Sequence, residues 1–229
     1  MRVICFDLDD TLYKEIEFLK SAFMEIAAYA VKYCVDSSEP PEVLKNKAYD
    51  LMLRTYQDGG NAFRNLNTYL GLELPIDTLI QKYREHVPQI SLVGDVRYTL
   101  NRLKNDGVLM GVVSDGHELT QWNKVLSLGL TEWMDVSCII INSTQECFKP
   151  SPCGYERFVA AVSALTSMKD LSFEYVGDNL KKDFIYPKAL GWKTYCLRDD
   201  GRNIHYQDFG SASADALPDR MLESIIELI

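Results

Sequence analysis

The chain has 229 residues, 47% of them hydrophobic, which is enough for one large domain or a domain with a sizeable insertion and excludes a largely disordered chain. A formal net charge of −9 argues against a nucleic-acid partner, which needs a basic footprint. It does not exclude an anionic small substrate, because a bound metal and one well-placed lysine decide the local field.

No apolar run approaches the roughly 18 residues of a membrane span. Asp7 interrupts the first apolar run too early for a signal peptide. The six cysteines (Cys5, Cys34, Cys138, Cys147, Cys153 and Cys196) include no C-x-x-C pair, and the three histidines are scattered. Neither a disulfide framework nor a zinc site is expected, and a reducing, cytoplasmic setting fits best. The sequon Asn142-Ser143-Thr144 is then expected to go unused. Cys5 and Cys138 lie in apolar runs and read as small buried hydrophobes.

In chain order, Val3-Ile4-Cys5-Phe6 reads as a short buried strand that ends abruptly in Asp7, Asp9 and Asp10, followed by Thr11. Clustered carboxylates at a sheet rim are costly without compensation, so a cation is expected beside them. After Tyr13 the period changes to helical. Phe18, Ala22, Ile26, Tyr29 and Tyr33 form one stripe, broken by Ser37-Ser38-Glu39-Pro40-Pro41. Val43, Leu44, Ala48, Leu51 and Met52 form a second, ended by Asp58-Gly59-Gly60. Further helices are expected around 63–70 and 76–86. Residues 14–90 thus read as an all-helical insertion, with 1–13 and 91–229 as the core domain.

From residue 94 helices and strands alternate. Strands are expected at 108–113, 136–141, 173–176 and 193–197, with helices near 94–104, 118–128, 150–165 and 182–190. Residues 198–213 read as loop and 217–229 as a terminal amphipathic helix. The fold class is α/β: a doubly wound, parallel, five-stranded, Rossmann-like sheet with an inserted helical cap.

Parallel strands place their carboxyl ends on one edge. Asp7, Asp9, Ser114, the Lys149 region and Asp178 should therefore converge. Together they offer a nucleophilic carboxylate, a second acid, a hydroxyl with adjacent amides, a cation and a metal-binding carboxylate. Phosphoryl transfer through an aspartyl-phosphate requires that set.

The chain resembles the haloacid dehalogenase-like hydrolase superfamily, in its phosphatase branch. The resemblance rests on Asp7-Leu8-Asp9-Asp10-Thr11 (D-x-D-x-T), on Ser114 within Val-Val-Ser-Asp-Gly, on Lys149 within Phe-Lys-Pro-Ser-Pro, and on Gly177-Asp178-Asn179 followed by Asp183. It covers essentially the whole chain, and the insertion after the first motif is similar to the family's helical cap.

The resemblance implies that Asp7 is the nucleophile and Asp9 the general acid and base. It implies Mg²⁺ held by Asp7, the backbone carbonyl of Asp9, and Asp178. Ser114 and the amides of Asp115 and Gly116 would hold phosphate oxygens, and Lys149 would neutralise the nucleophile–phosphate pair. Asp183 would orient the metal shell or Lys149, with Thr11 and Asn179 in support. Asp10 and the Asp115 side chain read more simply as capping or loop polarity, His117, which could touch substrate, as a surface or capping residue, and Trp122 and Trp192 as core or interface aromatics. Tyr29, Tyr33, Tyr49 and Tyr56 could face substrate, though helical spacing by itself points to core.

Cys147 stands where the family frequently has glycine, and an exposed thiol there would be open to oxidation. The expected activity is a Mg²⁺-dependent phosphatase on a small phosphomonoester, a sugar phosphate or nucleotide, acting as monomer or homodimer. The alternatives are a phosphomutase with the same four motifs and a binding protein with a vestigial site. Dehalogenation is disfavoured, since halide loss needs no acid at Asp9.

Overall fold

The computed structural model describes residues 1–34 and 38–229, so Ser37 of the expected helix break lies outside the described residues. The chain divides into two compact units, Met1–Ile16 with Ile90–Ile229, and Glu17–Gln89.

The second unit is helical. α1 (Glu15–Val31) buries Phe18, Leu19, Ala22, Phe23, Ile26, Ala27 and Ala30, the stripe that a 3.6-residue period puts on one face. α2 (Pro41–Gln57) starts on a proline, whose missing N–H costs nothing in the first turn. α3 (Ala62–Leu70) is capped by the Asn61 side chain, which accepts from the Arg64 amide at 3.0 Å. α4 (Ile76–Glu85) returns Tyr83 to the unit's interior, where Phe18, Phe23, Phe63 and Tyr83 pack edge to face. Val43, placed on the inner stripe by periodicity, is exposed, as is Tyr33. Both lie near a helix end, where few neighbours remain to bury an apolar side chain.

The first unit is a six-stranded, wholly parallel sheet, one strand more than expected. Its strands are β1 (Arg2–Phe6), β2 (Leu109–Asp115), β3 (Ile139–Asn142), β4 (Ser172–Gly177), β5 (Lys193–Leu197) and β6 (Arg220–Leu222), in the order β3-β2-β1-β4-β5-β6. The connecting helices are α5 (Gly94–Asn105), α6 (Glu118–Ser127), α7 (Cys153–Leu165) and α8 (Ile185–Ala189). β1 is central, and Val3 to Phe6 are fully buried, as a strand covered on both faces must be. The chain winds outward to β3 on one side and then crosses to β4 on the other. The strand order therefore reverses beside β1, and the carboxyl ends of β1, β2 and β4 flank the crevice where such sheets bind ligands.

Four expectations are corrected. The terminal amphipathic helix is instead β6, paired with β5 through Tyr195–Arg220 and Leu197–Leu222, and a short 3₁₀ turn over Ile225–Leu228. The open edge of β5 carries unpaired backbone groups, and satisfying them outweighs local helical periodicity. Residues 136–138 form a 3₁₀ turn and only 139–142 a strand, and the helix expected from 182 begins at Ile185. Finally, Cys147 and Cys153 form a disulfide, with Cα atoms 5.1 Å apart. The 3₁₀ turn at Gln145–Cys147 and the first turn of α7 fold back on each other around Lys149. A sequence search for C-x-x-C cannot see a pair six positions apart that a folded loop brings together. Cys5, Cys138 and Cys196 are free and buried. Among the described residues no helix is long and apolar enough to cross a membrane.

Candidate active site

The Asp7 amide donates to the Val176 carbonyl at 2.8 Å, so the β1–β4 ladder continues one residue past β1 and aims the Asp7 carboxylate out of the sheet end. Its partner is Lys149. The Lys149 Nζ lies 2.5 Å from Asp7 Oδ1, 2.7 Å from Asp183 Oδ1 and 3.0 Å from the Tyr175 hydroxyl, and its side chain has no solvent exposure. Asp183 Oδ2 in turn accepts from the amides of Asn179 (2.8 Å) and Asp178 (3.2 Å). Lys149 therefore lies behind Asp7 rather than on the cleft wall.

Carboxylate oxygens of Asp7, Asp178 and Asp183 lie within 4.8 Å of one another, all buried. One ammonium serves two of these three acids, and the mismatch is visible in their ionisation. Burial, opposed by Lys149, pushes Asp7 up to about 7. Burial, with Asp183 and Asp7 adding repulsion, pushes Asp178 up to about 9. Burial would raise Asp183 too, but Lys149 and Lys182 overcome it and hold that carboxyl low. An oxygen-only set with surplus negative charge fits a hard divalent cation such as Mg²⁺. Asp183 joins this cluster, whereas the Asp9 carboxylate is turned elsewhere.

Asp9 is held by α6. Lys124 Nζ lies 2.7 and 2.9 Å from its two oxygens, Gln121 Nε2 donates to Oδ2 at 2.8 Å, and the Tyr13 hydroxyl donates to Oδ1. Burial would raise this carboxyl, but Lys124 and these donors outweigh it and hold Asp9 below its ordinary value. Ser114 is buried at the end of β2, where Gln121 Nε2 also meets its hydroxyl at 2.6 Å.

Asp7, Asp9, Ser114, Asp115 and Asp178 line one cleft of about 140 Å³. A family model described as haloacid dehalogenase-like hydrolase matches residues 4–196, which span every motif acid. The chain belongs to the haloacid dehalogenase-like hydrolase family. It is 27% identical over 203 residues to a glyceraldehyde 3-phosphate phosphatase of Pyrococcus furiosus, covering 85% of this chain and 79% of that one. It is 28% identical over 230 residues to a glyceraldehyde 3-phosphate phosphatase of Methanocaldococcus jannaschii, covering 94% and 95%. The crystal structure of a phosphatase of the same family from Thermococcus onnurineus superposes with a TM-score of 0.56 at 18% identity, covering 100% of this chain and 96% of that one.

Gly116 and Thr11 depart from the sequence reading, whereas Asp10, His117 and Trp192 keep the capping, surface and core places it gives them. The Asp115 side chain accepts from Asn142 Nδ2 (2.9 Å) and from the Lys149 amide (3.2 Å), so it anchors the lysine loop. The Gly116 amide, expected to face phosphate, donates instead to the Asn142 carbonyl at 2.9 Å. Asp10 has a left-handed φ of 57° and accepts from the amides of Glu15 (2.9 Å) and Ile204 (2.8 Å), closing the turn into α1. The Thr11 hydroxyl is buried and makes no hydrogen bond. Asn179 accepts from the Lys181 amide at 3.0 Å, a local turn contact. His117 is exposed at the start of α6, and Trp192 stacks on Phe173 in the core.

Sequence reasoning missed Gln121, Lys124 and Lys182, and the contribution of residues 198–213. Lys182 lines the cleft, its Nζ 3.5 Å from Asp115 Oδ2, although beside Lys181 it reads as a solvated helix face. Asn203 Nδ2 donates to Asp178 Oδ2 at 2.9 Å and Gln207 Nε2 to the Asp178 carbonyl at 2.9 Å, so the loop after β5 buttresses the acidic cluster. The one available signal was a lysine and a glutamine three positions apart, among the residues that α6 buries.

Gly177 shows how closely this site is packed. A Cβ there would stand 2.5 Å from Asp183 Oδ2 and 2.9 Å from the Tyr175 ring. Gly177→Ala is expected to displace Asp183 from Lys149 and to cost about 1–3 kcal/mol of stability, together with most of the activity. Urea denaturation and phosphate release on the same preparation check both.

Proposed function

We propose that this chain is a Mg²⁺-dependent phosphatase that hydrolyses a small sugar phosphate through an aspartyl-phosphate on Asp7. It is a phosphoric monoester hydrolase, a reading supported by its family and by the names of its relatives. The observation that carries the mechanism is the buried Lys149 bridging Asp7 and Asp183, with Asp178 beside them and Asp9 on the same cleft.

In the first half, an Asp7 oxygen attacks phosphorus as the bond to the leaving oxygen breaks. Asp9 gives its proton to the departing alkoxide, assistance typically worth about 10²–10⁴-fold. In the second half, Asp9 takes a proton from the water that attacks the aspartyl-phosphate, and Asp7 is released. Because Lys124 and its companion donors hold Asp9 low, the second half draws on its majority form and the first on a minority form. The Ser114 hydroxyl and the Lys182 ammonium face the substrate phosphate, while Lys149 offsets the negative charge of the nucleophile from behind. Asp7, Asp178 and the Asp9 backbone carbonyl would hold Mg²⁺, which when bound supplies positive charge against the phosphoryl oxygens. The helical unit takes the part of a cap in this reading, and the protein acts in the cytoplasm.

Release of phosphate from p-nitrophenyl phosphate and from a set of sugar phosphates, with Mg²⁺ and then with excess EDTA, tests the proposal. Turnover that survives EDTA, or interconversion of isomers without free phosphate, would sink it.

Metal binding carries its own pH signature. Below about 9 the Asp178 carboxyl keeps its proton in the metal-free fold, and below about 7 Asp7 does too. Mg²⁺ must displace those protons, so its affinity is expected to rise with pH between 7 and 9. The folded value of Asp178 lies above its unfolded 3.8, so its contribution to stability is complete below about pH 4 and is lost as pH rises towards 9. Calorimetric titration with Mg²⁺ in buffers of different ionisation enthalpy reads the proton release directly. Urea melts of the metal-free protein across the same range read the loss of stability.

A further inference from the structure

Lys124 is an unusual residue for its surroundings. It is 3% exposed, on the inner face of α6, and its ammonium meets two carboxylates. Removing a lysine from water costs several kcal/mol unless partners compensate. Here they include Asp9, at 2.7 and 2.9 Å, and Glu15 at 3.5 Å. One helical turn back, Gln121 Nε2 reaches Asp9 Oδ2 at 2.8 Å, Ser114 Oγ at 2.6 Å and the Asp115 carbonyl at 3.2 Å. Residues three apart on a helix share a face, so α6 presents both donors to one carboxyl group. The Tyr13 hydroxyl completes the set from the other side.

Asp9 lies beyond the last residue of β1, outside the sheet's own ladder. A carboxyl group there would otherwise sample several rotamers, and misplacing a proton donor by about 1 Å can cost roughly 10²-fold. Both Asp9 oxygens are instead held by donors from α6, the helix that follows directly on the Ser114 loop.

We propose that Lys124 and Gln121 are positioning residues for Asp9: together they fix its carboxyl group in the orientation from which it passes a proton to the leaving oxygen. The proposal rests on the phosphatase reading above. The proton balance is that of the first half-reaction. The Asp9 O–H bond breaks, the alcohol O–H bond forms, the phosphorus–oxygen bond to the leaving group breaks, and the Asp7–phosphorus bond forms. Lys124 keeps its protons throughout and touches neither substrate nor phosphorus.

The test uses a difference in leaving groups. An alkoxide needs a proton to depart, whereas p-nitrophenolate is stable without one. kcat/KM reports only steps up to departure of the leaving group, so the second half-reaction does not enter. We measure kcat/KM of the full chain with Mg²⁺ on glycerol phosphate and on p-nitrophenyl phosphate, for the wild type, Lys124→Met, Lys124→Gln and Asp9→Asn. In Lys124→Met the alkyl-to-aryl ratio of kcat/KM is expected to fall about 100-fold, because the loss of orientation outweighs the larger protonated fraction that Asp9 gains without the ammonium. Lys124→Gln, which keeps a donor, is expected to fall less, and it serves as the test if Lys124→Met does not fold.

A loss of general structure would lower both substrates together and leave the ratio unmoved. If Asp9→Asn lowers the ratio but neither Lys124 variant does, the positioning role is overturned while the phosphatase reading stands. If Asp9→Asn leaves the ratio unmoved, Asp9 is not the acid and both readings fall together.

Discussion

Asp7→Asn is expected to abolish turnover, lowering kcat by at least about 10⁴-fold, because the amide that replaces the carboxylate cannot attack phosphorus. The fold is expected to survive. Asp7 is buried, and burial against Lys149 leaves its carboxyl pushed up to about 7, well above its unfolded value of 3.8. With the folded value raised, its contribution to stability is complete at low pH and is lost as pH rises through 7. At pH 8 the metal-free wild type therefore holds an ionised carboxylate at a site that disfavours it, and the neutral amide does not. Asp7→Asn is thus expected to be no less stable than wild type at pH 8 without metal, and relatively less so at pH 5. Phosphate release, mass spectrometry of acid-quenched protein for the phosphorylated adduct, and urea melts at both pH values check the three parts. A variant that retained the adduct would overturn the assignment of the nucleophile.

Lys149→Met is expected to fail in both activity and stability. The lysine Nζ lies 2.5 Å from Asp7 and 2.7 Å from Asp183, with no exposed surface on its side chain or on that of Asp183. Removing one partner of a buried ionic cluster typically costs about 3–5 kcal/mol, because the remaining charges have lost both water and counter-ion. Losing the charge that offsets the nucleophile–phosphate repulsion is expected to lower kcat by about 10²–10³-fold. The stability loss has a direction in pH. Without Lys149 the carboxyls of Asp7 and Asp183 ionise less readily, so the deficit is largest at pH 8 and shrinks as pH falls to 5. Mg²⁺ should recover part of it at pH 8 by supplying positive charge at the same cluster. Urea unfolding at pH 5 and 8, with and without Mg²⁺, distinguishes this from a simple packing defect, which would respond to neither.

These two residues were legible in the sequence for different reasons. Asp7 stands at the end of an uninterrupted apolar run, and such a run terminating in acids has few readings other than a buried strand delivering them to a sheet rim. Lys149 was legible only as the third of four ordered motifs. That it approaches Asp7 from behind, fully buried, and that Asp115 holds its amide, needed the folded loop. Asp183 stands beside two lysines that read as a solvated helix face. In the fold Lys182 lines the cleft and Asp183 is wholly buried.

The sequence by itself determined the alternation of elements in the core, the all-helical stretch between the first two strands, and the convergence of four motifs on one sheet edge. Each of these depends on local period and on chain order, and the parallel sheet then has only one edge to offer. Tertiary structure decided the rest. The terminal segment became β6 because an open strand edge offered backbone partners that helical periodicity cannot register. Cys147 met Cys153 because a loop doubled back. Lys124 met Asp9 from 115 positions away, a contact that leaves no mark on the pattern of either segment. Local sequence specifies which groups stand at the strand ends. Which of them are paired, buried or turned towards substrate depends on long-range packing, and that packing also sets their charge.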